Sequence, residues 1–295
     1  MDARQPVIEA KALDFPRQLE AFPTNVGASE SGRFGYREGG TAADGVLPVV
    51  LLHGIGSGSA SWVQQLAALS PSRRVIAWDT PGYGETTSVR PQFPVASDYS
   101  AALGSSLHVL GIERCVLVGH SLGAIIATAY AKENPSTVAG LILISPANGY
   151  AAANPELRAR KRDARLALLD ELGPQGLAEQ RSGNMLSGSA SEAARAWVKW
   201  NMGSVIPSGY RQATHLLANA NLSGDLEFYK GRVQVVVGTD DVITPPASCQ
   251  SVADAAHTVL NLVPLAGHAG YVERPDVYTA NIEQFCRRCE GNGET

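Results

Sequence analysis

Six short runs of β-branched and aliphatic residues set the frame: Val49–His53, Arg74–Asp79, Cys115–Gly119, Val138–Ser145, Val233–Gly238 and Val259–Leu265. Between them lie Ala- and Leu-rich segments of helical period, predicted as helices at Ala60–Ala68, Tyr99–Leu110, Leu122–Asn134, Pro246–Ala255 and Asp276–Arg287. Alternation of this kind is the pattern of an α/β fold with a mostly parallel sheet. The runs are almost continuously apolar (VVLLH, LILIS, VVVG), as befits strands covered by helices on both faces. Gly32–Arg37 adds an earlier, antiparallel strand at the edge of the sheet.

The alternation breaks once, between about Asn148 and Asn221, where no strand pattern occurs and Leu157, Leu168, Leu169 and Leu172 mark an amphipathic helix. That segment reads as a helical insertion between two halves of one sheet. The chain then divides into a first core part (1–147), the insertion (148–221) and a second core part (222–295). The stretch up to about Asn25 and the polar Glu290–Thr295 read as tails that carry no chemistry.

A chain of 295 residues with 44% hydrophobic residues is long enough to bury a large core. Its 24 Lys and Arg face 28 Asp and Glu, for a net charge of −4, so there is no basic surplus to neutralise phosphates and nucleic acid is not an expected partner. Met1–Glu20 is studded with charges and prolines, unlike a secretory signal. No run approaches the roughly 20 apolar residues of a membrane span, so the expectation is a cytoplasmic protein with no membrane partner. Cys115, Cys249, Cys286 and Cys289 do not form a disulfide framework. Cys286 and Cys289 have the CxxC spacing but no second Cys or His pair to complete a zinc site, so no metal is expected. Oligomeric state, a homo-oligomer included, is left open.

Gly119-His120-Ser121-Leu122-Gly123 stands where the apolar run CVLVG gives way to the helical LGAIIATAYAK. A strand-to-helix turn this tight needs small residues two before and two after the serine, and both are glycine. The turn sets the serine oxygen at a helix N-terminus, whose free N–H groups and positive dipole end favour developing negative charge.

At this point the sequence resembles the α/β-hydrolase family, whose acid and histidine follow the serine in chain order. The resemblance implies an eight-stranded type of sheet flanked by helices, with a helical cap over the site. It also implies an acid after one late strand and a histidine after the next, and the chain supplies Gly238-Thr239-Asp240-Asp241 and Ala266-Gly267-His268. Within the pair of aspartates the resemblance selects Asp241, which stands four residues before Pro245, and Asp240 reads as a turn former. His268 would take the Ser121 proton and return it to the leaving group, and Asp241 would hold the imidazole tautomer.

His53-Gly54-Ile55-Gly56 is similar to the family's oxyanion loop, which assigns the two backbone donors to Ile55 and Leu122. The rival reading, a dinucleotide-binding loop, needs a glycine at 59 where the chain has Ser59. Asp79-Thr80-Pro81-Gly82-Tyr83-Gly84 resembles a family loop that shapes the floor of the site, and Glu273-Arg274-Pro275 reads as scaffold. The insertion carries Arg158, Arg160, Arg162, Arg165 and Arg181, any of which could clamp a substrate carboxylate or face solvent. Its Gly176–Arg181 segment, Met185-Leu186 and Gly209-Tyr210 look similar to caps of enol-lactonase-like members.

The expected activity is serine hydrolysis of a small-molecule ester or lactone through an acyl-enzyme, without a cofactor. Carbon–carbon cleavage of a vinylogous diketone is the alternative, although those members often carry Trp after the histidine and this chain has Ala269. A hydrolase-fold receptor that binds without turnover has no need of all three residues.

Overall fold

The computed structural model describes residues 14–291. Eight strands form one sheet: β1 (Asn25–Ser29), β2 (Gly32–Gly39), β3 (Val49–Leu52), β4 (Val75–Trp78), β5 (Cys115–His120), β6 (Val138–Ile144), β7 (Arg232–Gly238) and β8 (Leu260–Val263). Eleven α-helices lie among the described residues: α1 (Phe15–Glu20), α2 (Val63–Leu69), α3 (Ala96–Val109), α4 (Leu122–Glu133), α5 (Pro155–Arg181), α6 (Glu192–Gly203), α7 (Pro207–Asn219), α8 (Leu222–Leu226), α9 (Pro246–Ala255), α10 (Gly270–Glu273) and α11 (Pro275–Glu290). The strand order is β1-β2-β4-β3-β5-β6-β7-β8. Every pair from β4 onward is parallel, and β2 is antiparallel to both β1 and β4.

The period of two along each strand explains the layering. In β3, Val50 and Leu52 join the core cluster that includes Leu103 of α3, Ile125 of α4 and Val252 of α9. Val49 and Leu51 join the opposite one with Leu66 of α2 and Ile282 of α11. The same split holds for Leu117 against Val116 in β5 and for Val237 against Val236 in β7. Both faces are therefore apolar, which is why these runs carry no polar alternation. Helix α4 is buried from Leu122 to Ala131, matching its apolar character all round.

Two expectations need correction. Gly32–Gly39 is not the edge of the sheet, because β1 pairs outside it from Asn25↔Tyr36 to Ser29↔Gly32. The segment before Asn25 is not all tail: α1 buries Phe15, whose ring stacks on Trp197 at 4.9 Å. NVGAS pairs through its backbone and buries little, so it leaves no hydrophobic pattern to read. Residues 1–13 and 292–295 of the two tail segments lie outside the described residues.

Between β6 and β7 the chain forms no strand, and its regular elements are α5, a 3-10 turn at Ser182–Met185, α6, α7 and α8. It leaves and returns at one place: Leu222 N–H donates to Asn148 O at 2.9 Å, and Ala151 N–H to Ala220 O at 2.9 Å. A Cβ on Gly209, at the start of α7, would lie 2.0 Å from Gly82 O, so the insertion rests on the loop after β4 through two glycines.

Candidate active site

The order of the strands reverses around β3, with β4 on one side and β5 on the other. In an open α/β sheet the crevice beyond the carboxyl ends at such a reversal is where ligands bind. The loops that leave β3, β5, β6 and β7 meet there, with the loop after β8, and line a cavity of about 600 Å³ roofed by the insertion.

Ser121 occupies the turn between β5 and α4 with φ 52° and ψ −112°, in the left-handed region where a side chain is strained. The two glycines are sterically required. A Cβ on Gly119 would meet Gly123 O at 2.5 Å, and one on Gly123 would meet Leu52 O at 2.3 Å. Ser121 is buried and lines the cavity together with His268. Among the described residues no hydrogen bond joins its hydroxyl to His268.

Asp241 and His268 meet directly, with His268 Nδ1 at 2.9 Å from Asp241 Oδ2, both side chains fully buried. The other carboxylate oxygen accepts from the Ile243 and Thr244 N–H groups at 2.8 and 2.9 Å. Burial pushes the Asp241 carboxyl up, but the hydrogen bond and charge of His268 and the Thr244 N–H outweigh it and hold the group at about 2. Its folded value lies below the ordinary 3.8, so the ionised form stabilises the fold above that value, and this contribution fades as pH falls toward 2. An ionised carboxylate only accepts, so His268 Nδ1 carries a proton and donates it to Asp241 Oδ2. Asp240 stays at the exposed turn, where it accepts from the Thr239 hydroxyl at 2.9 Å.

Ile55 and Leu122 line the same cavity, and among the described residues neither of their N–H groups donates to another atom. The loop that presents Ile55 is pinned from behind. Thr80 N–H donates to His53 Nε2 at 3.0 Å, which leaves the proton on Nδ1 for Gly54 O at 2.8 Å. Tyr83 O–H donates to Ile55 O at 2.8 Å, and Asp79 Oδ1 accepts from Ser59 N–H at 2.7 Å. Burial keeps His53 below the ordinary imidazole range, against the pull of Asp79, so it serves as a neutral prop.

Four residues position the site: Thr244 and His120, which the sequence did not single out for it, and Glu273 and Tyr83, read as scaffold and floor. The Thr244 hydroxyl lies 2.9 Å from Asp241 Oδ2, 3.0 Å from Ser145 O and 3.1 Å from His268 Nδ1, bridging acid, base and the end of β6. His120 Nε2–H donates to the His268 carbonyl at 2.9 Å. Burial, and then the neighbouring His268, push its imidazole well below the ordinary range, so it is neutral. Glu273 accepts from Gly267 N–H at 3.0 Å, Ser187 N–H at 3.1 Å and the Ser187 hydroxyl, tying the histidine loop to the insertion. For Glu273 and Thr244 no local pattern signals the role, since each also reaches a partner 86 or 99 residues away, Ser187 and Ser145 respectively.

Of the arginines singled out in the insertion, Arg165 and Arg181 line the cavity, together with Lys161; Arg158, Arg160 and Arg162 do not. Ala269 is buried, and its N–H donates to Met185 O at 2.7 Å. Cys286 and Cys289 are buried in α11, with Cys289 Sγ 2.8 Å from where a Cβ on Gly140 would be, and neither lines the cavity.

A model described as the alpha/beta hydrolase family matches residues 49–281. The provisionally named carbamate hydrolase RutD of Variovorax paradoxus (strain S110) is 29% identical over 265 residues, covering 85% of this chain and 95% of its own. The protein of that name from Escherichia coli O103:H2 (strain 12009 / EHEC) is 30% identical, covering 79% and 88%. Among solved structures, a thermophilic esterase from Thermogutta terrifontis superposes with a TM-score of 0.79 at 24% identity, over 91% of this chain and 99% of that one. The enol-lactonase of Burkholderia xenovorans LB400 does so with a TM-score of 0.77 at 22% identity, over 88% and 99%. At these identities the superpositions speak to the fold.

Proposed function

The chain belongs to the alpha/beta hydrolase family, and within that family of hydrolases we propose that it cleaves a small ester or lactone through a covalent acyl-enzyme on Ser121. The observation that carries this reading is the 2.9 Å contact of His268 Nδ1 with an ionised Asp241, behind a cavity that Ser121 also lines. In the proposed reaction His268 Nε2 takes the Ser121 proton as the oxygen attacks the carbonyl carbon. Asp241 stabilises the imidazolium, and the Ile55 and Leu122 N–H groups receive the oxyanion. The proton then passes to the leaving alkoxide, or to the ring oxygen of a lactone. Water, activated by the same histidine, releases the acid and restores Ser121. Residues 148–221 act as the cap that closes this site over a core made of 1–147 and 222–295.

A second reading, cleavage of a carbamate, has the names of the curated relatives in its favour and uses the same triad. The test is kcat/KM for a short-chain p-nitrophenyl ester, a matched carbamate and a ring-fission dienone, side by side, with the Ser121→Ala protein as blank. Preference for the ester by at least about tenfold, a difference of about 1.4 kcal/mol in transition-state binding, supports the reading. Preference for the carbamate or the dienone moves the assignment to that bond. Absence of any serine-dependent turnover leaves a binding protein.

A further inference from the structure

Lys161, Arg165 and Arg181 line the cavity, no Asp or Glu lines it, and none of the three cations has an ion-pair partner among the described residues. We infer that the substrate carries a carboxylate remote from the bond that is cut, and that these three side chains hold it. The inference rests on the proposed reading that this cavity is the acyl-transfer site.

The arrangement follows from the helix. Lys161, Ala164, Arg165 and Leu168 recur at spacings of three and four, so they share one face of α5, and that face lines the cavity. Gly173, at φ 62° and ψ 179°, then breaks the helix before Pro174 and resets its phase. The second half presents Leu177 and Arg181, again four apart, to the same space.

Acidic residues of the insertion neutralise the outside instead: Arg162 pairs with Asp163 at 2.7 Å, Lys199 with Glu179 at 2.6 Å, and Arg211 with Asp170. The three cations that line the cavity have no such partner among the described residues, although the chain as a whole is negative at −4. Like charges around a half-enclosed space repel, and an anion between them relieves that repulsion where water screens it poorly.

Arg165 is also anchored. Its Nη1–H donates to the buried Tyr210 hydroxyl at 3.1 Å, so less side-chain freedom remains to be lost on binding. Its charge reaches Tyr83, where burial is the larger effect and raises the phenol, and Arg165 pulls the other way. Tyr83 holds Ile55, which lines the same cavity as Arg165. Two guanidinium groups and an ammonium lining one cavity suit a carboxylate, which can accept two N–H bonds side by side from a planar guanidinium.

The experiment compares monomethyl adipate, which carries a free carboxylate, with dimethyl adipate, following released acid by chromatography. The expected result is a kcat/KM at least about tenfold higher for the monoester, the scale of one charge-assisted hydrogen bond. Lys161→Gln, Arg165→Gln and Arg181→Gln should each lower the monoester-to-diester ratio, and Arg160→Gln, on the same helix but outside the cavity, should not. A ratio of one or less, or one unmoved by all three substitutions, overturns the inference while serine-dependent turnover keeps the ester reading. If neither ester is turned over, succinate, glutarate and adipate are titrated into the Ser121→Ala protein by calorimetry. Saturable binding that weakens with salt and is lost in Arg165→Gln supports the anion site without the ester reading, and no binding of any of the three overturns it.

Discussion

Replacing Ser121 by alanine is expected to lower kcat by at least about a thousandfold while leaving the fold intact, because loss of a triad member leaves only the oxyanion donors and substrate binding to act. The Ser121 hydroxyl makes no hydrogen bond among the described residues, so its removal breaks no structural contact. The left-handed turn at φ 52° is held by its surroundings: Ser121 N–H donates to Ile144 O at 3.0 Å and Ala147 N–H to Ser121 O at 3.2 Å. Alanine inherits that backbone, so the midpoint of thermal unfolding should stay with the parent. Activity within tenfold of the parent would remove Ser121 from the chemistry.

A methyl group on Gly123 is expected to do comparable damage to activity by a different route. Its Cβ would lie 2.3 Å from Leu52 O and 2.9 Å from His53 O, backbone atoms of β3 and of the loop that follows it. Neither can rotate away as a side-chain tip would, so α4 and the oxyanion loop must separate. Overpacking of this kind costs about 1–3 kcal/mol and occasionally more. The moved parts are also those that carry Ser121 and the Ile55 N–H group. Gly123→Ala should therefore unfold several degrees lower and lose most of its kcat. Gly183→Ala is the control, since a Cβ there meets nothing within 4 Å. A Gly123→Ala protein with parental stability and rate would show that the elbow is looser than its contacts imply.

Legibility in the sequence followed burial. Strands β3 to β7 are covered on both faces, so burial dictates nearly every residue and the runs read clearly. In β1, NVGAS pairs by its backbone, and in α1 a single Phe15 supplies the anchor, so neither leaves a periodic signal. The site divides in the same way. Ser121 is legible because its turn must be flanked by glycines, whereas Asp241 and His268 are legible only through their order and setting, and the acid needed a family resemblance to separate it from Asp240. Glu273, Thr244 and Tyr83 each also bind a partner distant in the chain (Ser187, Ser145 and Ile55), which no local pattern can show. In the insertion the arginines from Arg158 to Arg181 look alike along the sequence. The break at Gly173–Pro174 shifts the helical phase between Arg165 and Arg181, so a single helical wheel cannot place both on the cavity.

The most direct test of the central claim is covalent labelling by a fluorophosphonate, read by intact mass and peptide mapping. The account predicts one phosphonyl adduct, on the peptide that carries Ser121, absent in Ser121→Ala. Its formation should be at least about a hundredfold slower in His268→Ala, the usual contribution of a positioned general base. An adduct on another residue, no adduct at all, or labelling at the parental rate without His268 would contradict it.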